Sequence, residues 1–166
     1  MGVNTFGYNV LLLLHIVCVI VGFGGVILNG LYASRAQQLP PDQNLAVMEV
    51  NSFVSMKVAE IFIYLVPVFG LGLVGMSDKT YTFGQTWVWL SIVVYVLSLG
   101  VSHGALMPRV KRMLATQRDM VANPPAGPDD GRIAMLQASG KQVGAISGVL
   151  HLSLVVMLVL MIWKPA

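Results

Sequence analysis

His15, Glu60, His103 and His151 stand inside long apolar stretches of a chain that is 56% hydrophobic and only 10% charged. Imidazole and carboxylate are the groups that ligate metals and pass protons, and within a bilayer each is costly enough to imply a role. His15 is followed along one helical face by Cys18, Gly22, Gly25 and Asn29, at three–four spacing. His151 has Gly144, Ser147 and Gly148 on its own face. The segments VLLLLHIVCVIV and SGVLHLSLVVML look alike around their histidines. A shallow groove of small residues beside an imidazole suits a haem, whose macrocycle needs close helix approach and an axial nitrogen. The same groove suits a neighbouring helix, since small residues drive helix association in lipid.

Four apolar segments must position these groups. They run over about 8–32, 54–75, 87–107 and 143–163, each long enough to cross a hydrocarbon core of about 30 Å. The expectation is an all-α integral membrane four-helix bundle, one domain over residues 1–166. The stretch 115–131, rich in Pro, Gly and Asp, is expected to be a flexible loop, followed by a polar helical lead-in to the last span. No basic residue precedes Arg35, so the first span is expected to stay as an anchor rather than leave as a signal peptide. Pro67 should kink the second span and free a carbonyl that needs another partner.

Charge gives an orientation. Arg35, Lys57, Arg109, Lys111, Arg112, Arg118, Arg132 and Lys141 fall in the first and third connections, leaving only Lys79 and Lys164 on the other side. The positive-inside rule then places both termini outside and the two longer connections in the cytoplasm. Phe6, Tyr8, Tyr81, Phe83, Trp87 and Trp163 collect at the outer interface, where amphipathic rings settle.

Helical rise converts sequence into depth. His15 is expected about 7 Å to the outside of the midplane, with His151 about 3 Å, Glu60 about 7 Å and His103 about 9 Å to the cytoplasmic side. His15 and His103 are then too far apart in height to share one metal, so His15 is expected to bind a metal without His103. Glu60 and His103 are level and can form a carboxylate–imidazole pair, with Lys57 one turn from Glu60 as a competitor. Met157 and Met161, one turn apart, are soft donors that with imidazole suit Cu(I), a weaker reading than haem b. The single cysteine excludes an internal disulfide and a Cys-rich zinc site, leaving Cys18 as a small buried residue. Phosphate-binding loops, hydrolase motifs and pore-type charge rows are absent, and the basic residues form no nucleic-acid stretch. The bilayer is the expected partner. The Gly-rich faces add a larger membrane complex or a homo-oligomer.

The first-span run from Leu13 through His15 to Gly25, with Leu31-Tyr32-Ala33-Ser34-Arg35 after it, resembles a family of small bacterial four-helix membrane proteins of unknown function. That family looks related to CopD-like copper-resistance domains and HemJ-like protoporphyrinogen oxidases. His103-Gly104, followed by Met107-Pro108-Arg109-Val110-Lys111-Arg112, is similar to the HemJ pattern of His-Gly before a basic helix exit. The resemblance covers roughly residues 8–115. It implies a multi-pass bacterial inner-membrane bundle with a b-type haem, in which His15 matches the first-span axial ligand. The HemJ pattern has a Trp after that histidine and a Lys entering the third span. This chain has Val17-Cys18-Val19-Ile20-Val21-Gly22-Phe23 and Gln85-Thr86-Trp87 there, so the likeness extends to fold and ligand and stops short of the oxidase activity.

Overall fold

The computed structural model describes residues 2–165 and consists of four long helices. They are α1 (Phe6–Ala36), α2 (Pro41–Met76), α3 (Thr86–Ala122) and α4 (Gly131–Trp163). Their lengths of 31 to 37 residues correspond to about 46–56 Å, well beyond the apolar thickness of a bilayer. The excess lies at the end carrying most of the basic residues, where α1 and α2, α2 and α3, and α3 and α4 continue to pack as a helical stalk. The first and third connections are therefore short turns between extended helices rather than long loops. In particular, helix persists to Ala122, so the loop expected over 115–131 shrinks to residues 123–130. Thr116 to Met120 are held by partners on α2 and beyond the turn: Gln117 donates to Asn44 Oδ1 at 3.3 Å, and Arg118 pairs with Glu49 at 2.6 Å.

Asp130 caps α4 by accepting from the Arg132 backbone N–H at 2.9 Å. The Arg132 guanidinium clamps the turn, meeting Asp130 at 2.7 Å and Asp119 of α3 at 2.6 Å. Those hydrogen bonds hold both carboxyl groups below the ordinary carboxylate range. Because the folded values are depressed, the clamp contributes above the unfolded carboxylate range, near pH 4, and is lost as pH falls through the folded values.

Within the apolar zone, the helices form two hairpins. α1 lies along the second half of α2, and α3 lies along α4. On α1 as far as Ile27, Tyr8, His15, Cys18 and Gly22 are the buried residues, extending the face read from the sequence by two turns toward the N-terminus. A Cβ on Gly22 would sit 3.0 Å from Ile63 Cγ1 and 3.1 Å from Ile63 N, so only hydrogen fits there. A Cβ on Gly25 would meet Ala59 Cβ at 3.4 Å, and Asn29 Oδ1 accepts from Ser55 Oγ at 2.9 Å. The remaining sides of the helices expose Leu13, Ile20, Leu97, Val149 and Ile162, as a lipid-facing surface should.

Two π-helical turns interrupt the ladders, at Val54–Ala59 of α2 and Ser102–Leu106 of α3. Each adds a residue to the turn and rotates the side chains beyond it. At the aromatic end, α2 and α3 are joined by a tight connection in which Ser77 is fully buried. Its hydroxyl donates to Val74 O at 2.8 Å and accepts from Tyr81 N–H at 3.0 Å.

Two outcomes test this architecture. Gly22→Leu should destabilise the bundle by roughly 1–3 kcal/mol in mixed-micelle unfolding, whereas Gly144→Leu, with nothing within 4 Å of the new Cβ, should leave it unchanged. Protection of residues 123–130 against amide exchange, relative to the intrinsic rate at each pH, should fall in wild type below about pH 4, and in Arg132→Gln it should be low at every pH.

Candidate functional site

Between the two hairpins, in the half of the bundle near the aromatic end, lies a cavity of about 400 Å³, within the range of sites that enclose small-molecule ligands. All four helices line it. α1 supplies Tyr8, Leu12 and His15, and α2 supplies Val66, Pro67, Gly70, Leu71, Leu73 and Val74. Trp87, Val88, Ser91, Ile92, Tyr95 and Val96 of α3 face them, and Met157, Met161 and Lys164 come from the end of α4. The wall is almost wholly apolar, and its polar groups are few and placed.

His15 is buried, and its Nδ1 lies 2.9 Å from the carbonyl of Val66. A carbonyl only accepts, so Nδ1 carries the proton, and Nε2 is left as the free lone pair. Gly70 makes room for the ring, since a Cβ there would fall 3.2 Å from His15 Cε1. Val66 immediately precedes Pro67, whose missing N–H leaves the Ile63 carbonyl without its helical donor. Tyr95 of α3 supplies a replacement, its hydroxyl donating to Ile63 O at 3.1 Å. The kink, the histidine and the cross-hairpin tyrosine are one construction.

At the mouth, Lys164 Nζ donates to Tyr81 Oη at 2.6 Å and sits 4.3 Å over the Tyr81 ring and 5.6 Å from that of Trp87. The Tyr81 and Trp87 rings meet edge to face at 5.4 Å. A second polar cluster lies toward the basic end. Glu60 Oε1 and His103 Nε2 are 2.8 Å apart, and Tyr64 Oη is 2.6 Å from each. Among the described residues no ion pair joins Lys57 to Glu60.

The residues singled out in the sequence therefore separate. His15 of α1 and Met157 and Met161 of α4 line the same cavity. Gly22 and Gly25 lie off the wall of this cavity, and Ile63 and Ala59 of α2 occupy the groove beside them. His103 belongs to the cluster with Glu60 and is absent from the cavity wall. His151 also lies off that wall, and its Nε2 is buried without a hydrogen-bond partner among the described residues. Gly144 and Gly148 beside it face open space, with nothing within 4 Å of where a Cβ would stand. Among the described residues, no three His, Cys, Asp or Glu side chains come together as a metal site.

Sequence reasoning did not reach Tyr64 or Tyr95, and it read Gly70 as a helix-packing residue without linking it to His15. Tyr64 stands four residues after Glu60 and so shares its helix face, a signal that was present. Tyr95 could be found only by knowing which helix faces the carbonyl freed by Pro67.

Four membrane-length apolar helices enclosing an apolar cavity with a few buried polar groups define an integral membrane protein. A family model described as predicted integral membrane protein (DUF2269) matches residues 9–165, and the chain belongs to that family. No curated protein and no solved structure matches it.

Tyr95→Phe removes the hydroxyl that serves Ile63 O and should cost about 1 kcal/mol of bundle stability, measured by unfolding in mixed micelles. Tyr32→Phe, on an exposed position near the stalk, serves as the control and should cost nothing measurable.

Proposed function

We propose that this protein holds a b-type haem in the cavity between its hairpins, where Nε2 of His15 would be the ligand to its iron. The observation that carries this reading is the bond from His15 Nδ1 to the Val66 carbonyl. Metal-ligating histidines characteristically donate their second ring N–H to a carbonyl or carboxylate, which fixes the tautomer and raises the basicity of the ligating nitrogen. The surroundings fit a flat apolar group. Gly70 clears one side of the ring, the cavity is apolar and bordered by aromatic residues, and Met157 and Met161 offer a thioether from the opposite hairpin. When bound, such a group supplies one-electron redox chemistry. The protein's part is to fix His15 through Val66, to keep water out with Val88, Ile92 and Leu73, and to close the outer mouth with Tyr81, Trp87 and Lys164. The resemblance to CopD-like and HemJ-like proteins supports a ligand at the same first-span position.

The distribution of Lys and Arg supports a bacterial inner-membrane orientation with the stalk in the cytoplasm and the mouth of the cavity outside. Copper is the alternative occupant of the same donors, because imidazole with thioether suits Cu(I). The open faces of Gly144 and Gly148 favour a further reading, as an accessory subunit that docks a larger membrane complex or a second copy through α4.

Reduced-minus-oxidised spectra of protein produced with ample haem supply test the first reading. Wild type and His103→Ala should show a b-type spectrum, and His15→Ala should lose most of it. A folded wild type without haem absorption overturns the proposal, as does a His15→Ala variant with the full spectrum. Copper analysis after Cu(I) loading and co-purification in mild detergent decide the alternatives.

A further inference from the structure

Glu60, Tyr64 and His103 lie outside the cavity, toward the basic end, and their hydrogen bonds cannot all be made without an additional proton. His103 Nδ1 is 3.0 Å from the Leu99 carbonyl, which only accepts, so Nδ1 carries hydrogen. In a neutral imidazole, Nε2 is then a bare lone pair. It stands 2.8 Å from Glu60 Oε1 and 2.6 Å from Tyr64 Oη, and these two oxygens are 2.6 Å from each other. With Glu60 ionised, the triangle of acceptors would have only the tyrosine proton for its three edges, and a lone pair would face a carboxylate. One more proton serves a second edge, and Nε2–H is also within reach of Tyr64 Oη on the third. Nε2–H then donates to Glu60 Oε1, and Tyr64 O–H donates to the same oxygen.

We infer that Glu60, Tyr64 and His103 form a proton-binding site at the basic end of the membrane zone, holding one exchangeable proton between carboxylate and imidazole. Loaded, the site is an imidazolium–carboxylate pair with no net charge, the cheaper form where water is scarce. Unloading sends the proton from Nε2 to water. Nε2 becomes an acceptor for the Tyr64 hydroxyl, Glu60 keeps its carboxylate, and the net charge becomes −1. The surroundings offer one compensating charge, Lys57, a turn before Glu60 on α2. Tyr95 is the neighbouring titratable group on α3. α4, packed on the Ser102–Leu106 turn, has no Asp, Glu, Lys or Arg between Lys141 and Lys164 and contributes only His151. α1, packed on the Val54–Ala59 turn, brings no charge before Arg35 and only His15 among its imidazoles.

Local backbone supports an exchangeable site over a static brace. A π-helical turn ends at Ala59, directly before Glu60, and another contains His103. Such turns are common at functional positions because they offer an alternative ladder register. The His103 side chain is 39% exposed and that of Glu60 21%, so the pair lies at the edge of the bundle rather than sealed inside it. Since Glu60 and Tyr64 belong to one hairpin and His103 to the other, the proton also ties the hairpins together.

The test is a pH titration of full-length protein in nanodiscs with ¹⁵N-labelled His, ¹³C-labelled Glu and ¹³C-labelled Tyr. Assignments come from loss of single signals in His103→Gln, Glu60→Gln and Tyr64→Phe. In wild type, the His103 ring, the Glu60 carboxyl and the Tyr64 ring should change together with one shared midpoint, as a coupled site must. Glu60→Gln keeps the shape and removes the negative charge that holds the proton, so the His103 signal should change at a lower pH than in wild type. Separate midpoints in wild type overturn the inference, and so do Glu60 and Tyr64 signals that stay flat while His103 titrates. The wild-type midpoints decide the inference, and they are independent of haem binding.

Discussion

Pro67 removes a backbone donor in the middle of a membrane helix, where no water can take its place. The rest of the bundle is arranged around that loss. Tyr95 reaches across from α3 to serve the Ile63 carbonyl, and His15 reaches from α1 to the carbonyl of Val66 one residue before the proline. One broken turn of α2 thereby ties together three helices. Tyr95 and His15 also both line the cavity between the hairpins. The same bond that holds α1 in place sets the tautomer of the histidine on the cavity wall.

The two hairpins are differently made. Along α1 and α2 the contact is close and glycine-dependent, with Gly22 against the backbone of Ile63. Between hairpins, the named links are polar: Tyr95 to Ile63, Glu60 and Tyr64 to His103, and in the stalk Arg118 to Glu49 and Gln117 to Asn44. Apolar packing in lipid holds surfaces together through dispersion and fit, whereas a polar link fixes a register and depends on protonation.

Much of this was legible in the residues. The four spans, the buried face of α1 and the level placement of Glu60 and His103 follow from apolar length, three–four periodicity and helical rise. Other readings failed for identifiable reasons. Gly22 and Gly25 look like a ligand groove because small residues leave space, and the sequence does not say that α2 fills it. The stretch from Ala115 to Ala122 reads as the start of a loop because prolines follow. Yet Arg118 and Gln117 find partners on α2 that lie about seventy residues earlier in the chain, and the helix continues.

By itself, then, the sequence determined that this protein lives in a membrane, where its helices run, and which few side chains are too costly there to be idle. Those are consequences of local composition and of a solvent that punishes unpaired polar groups. Only the tertiary structure decided which of the three histidines faces a cavity, which joins a carboxylate and a tyrosine, and which sits beside an open glycine face. Helix rotation, shifted by the π turns and by Pro67, sets those neighbours, and rotation is fixed by packing between segments far apart in the chain.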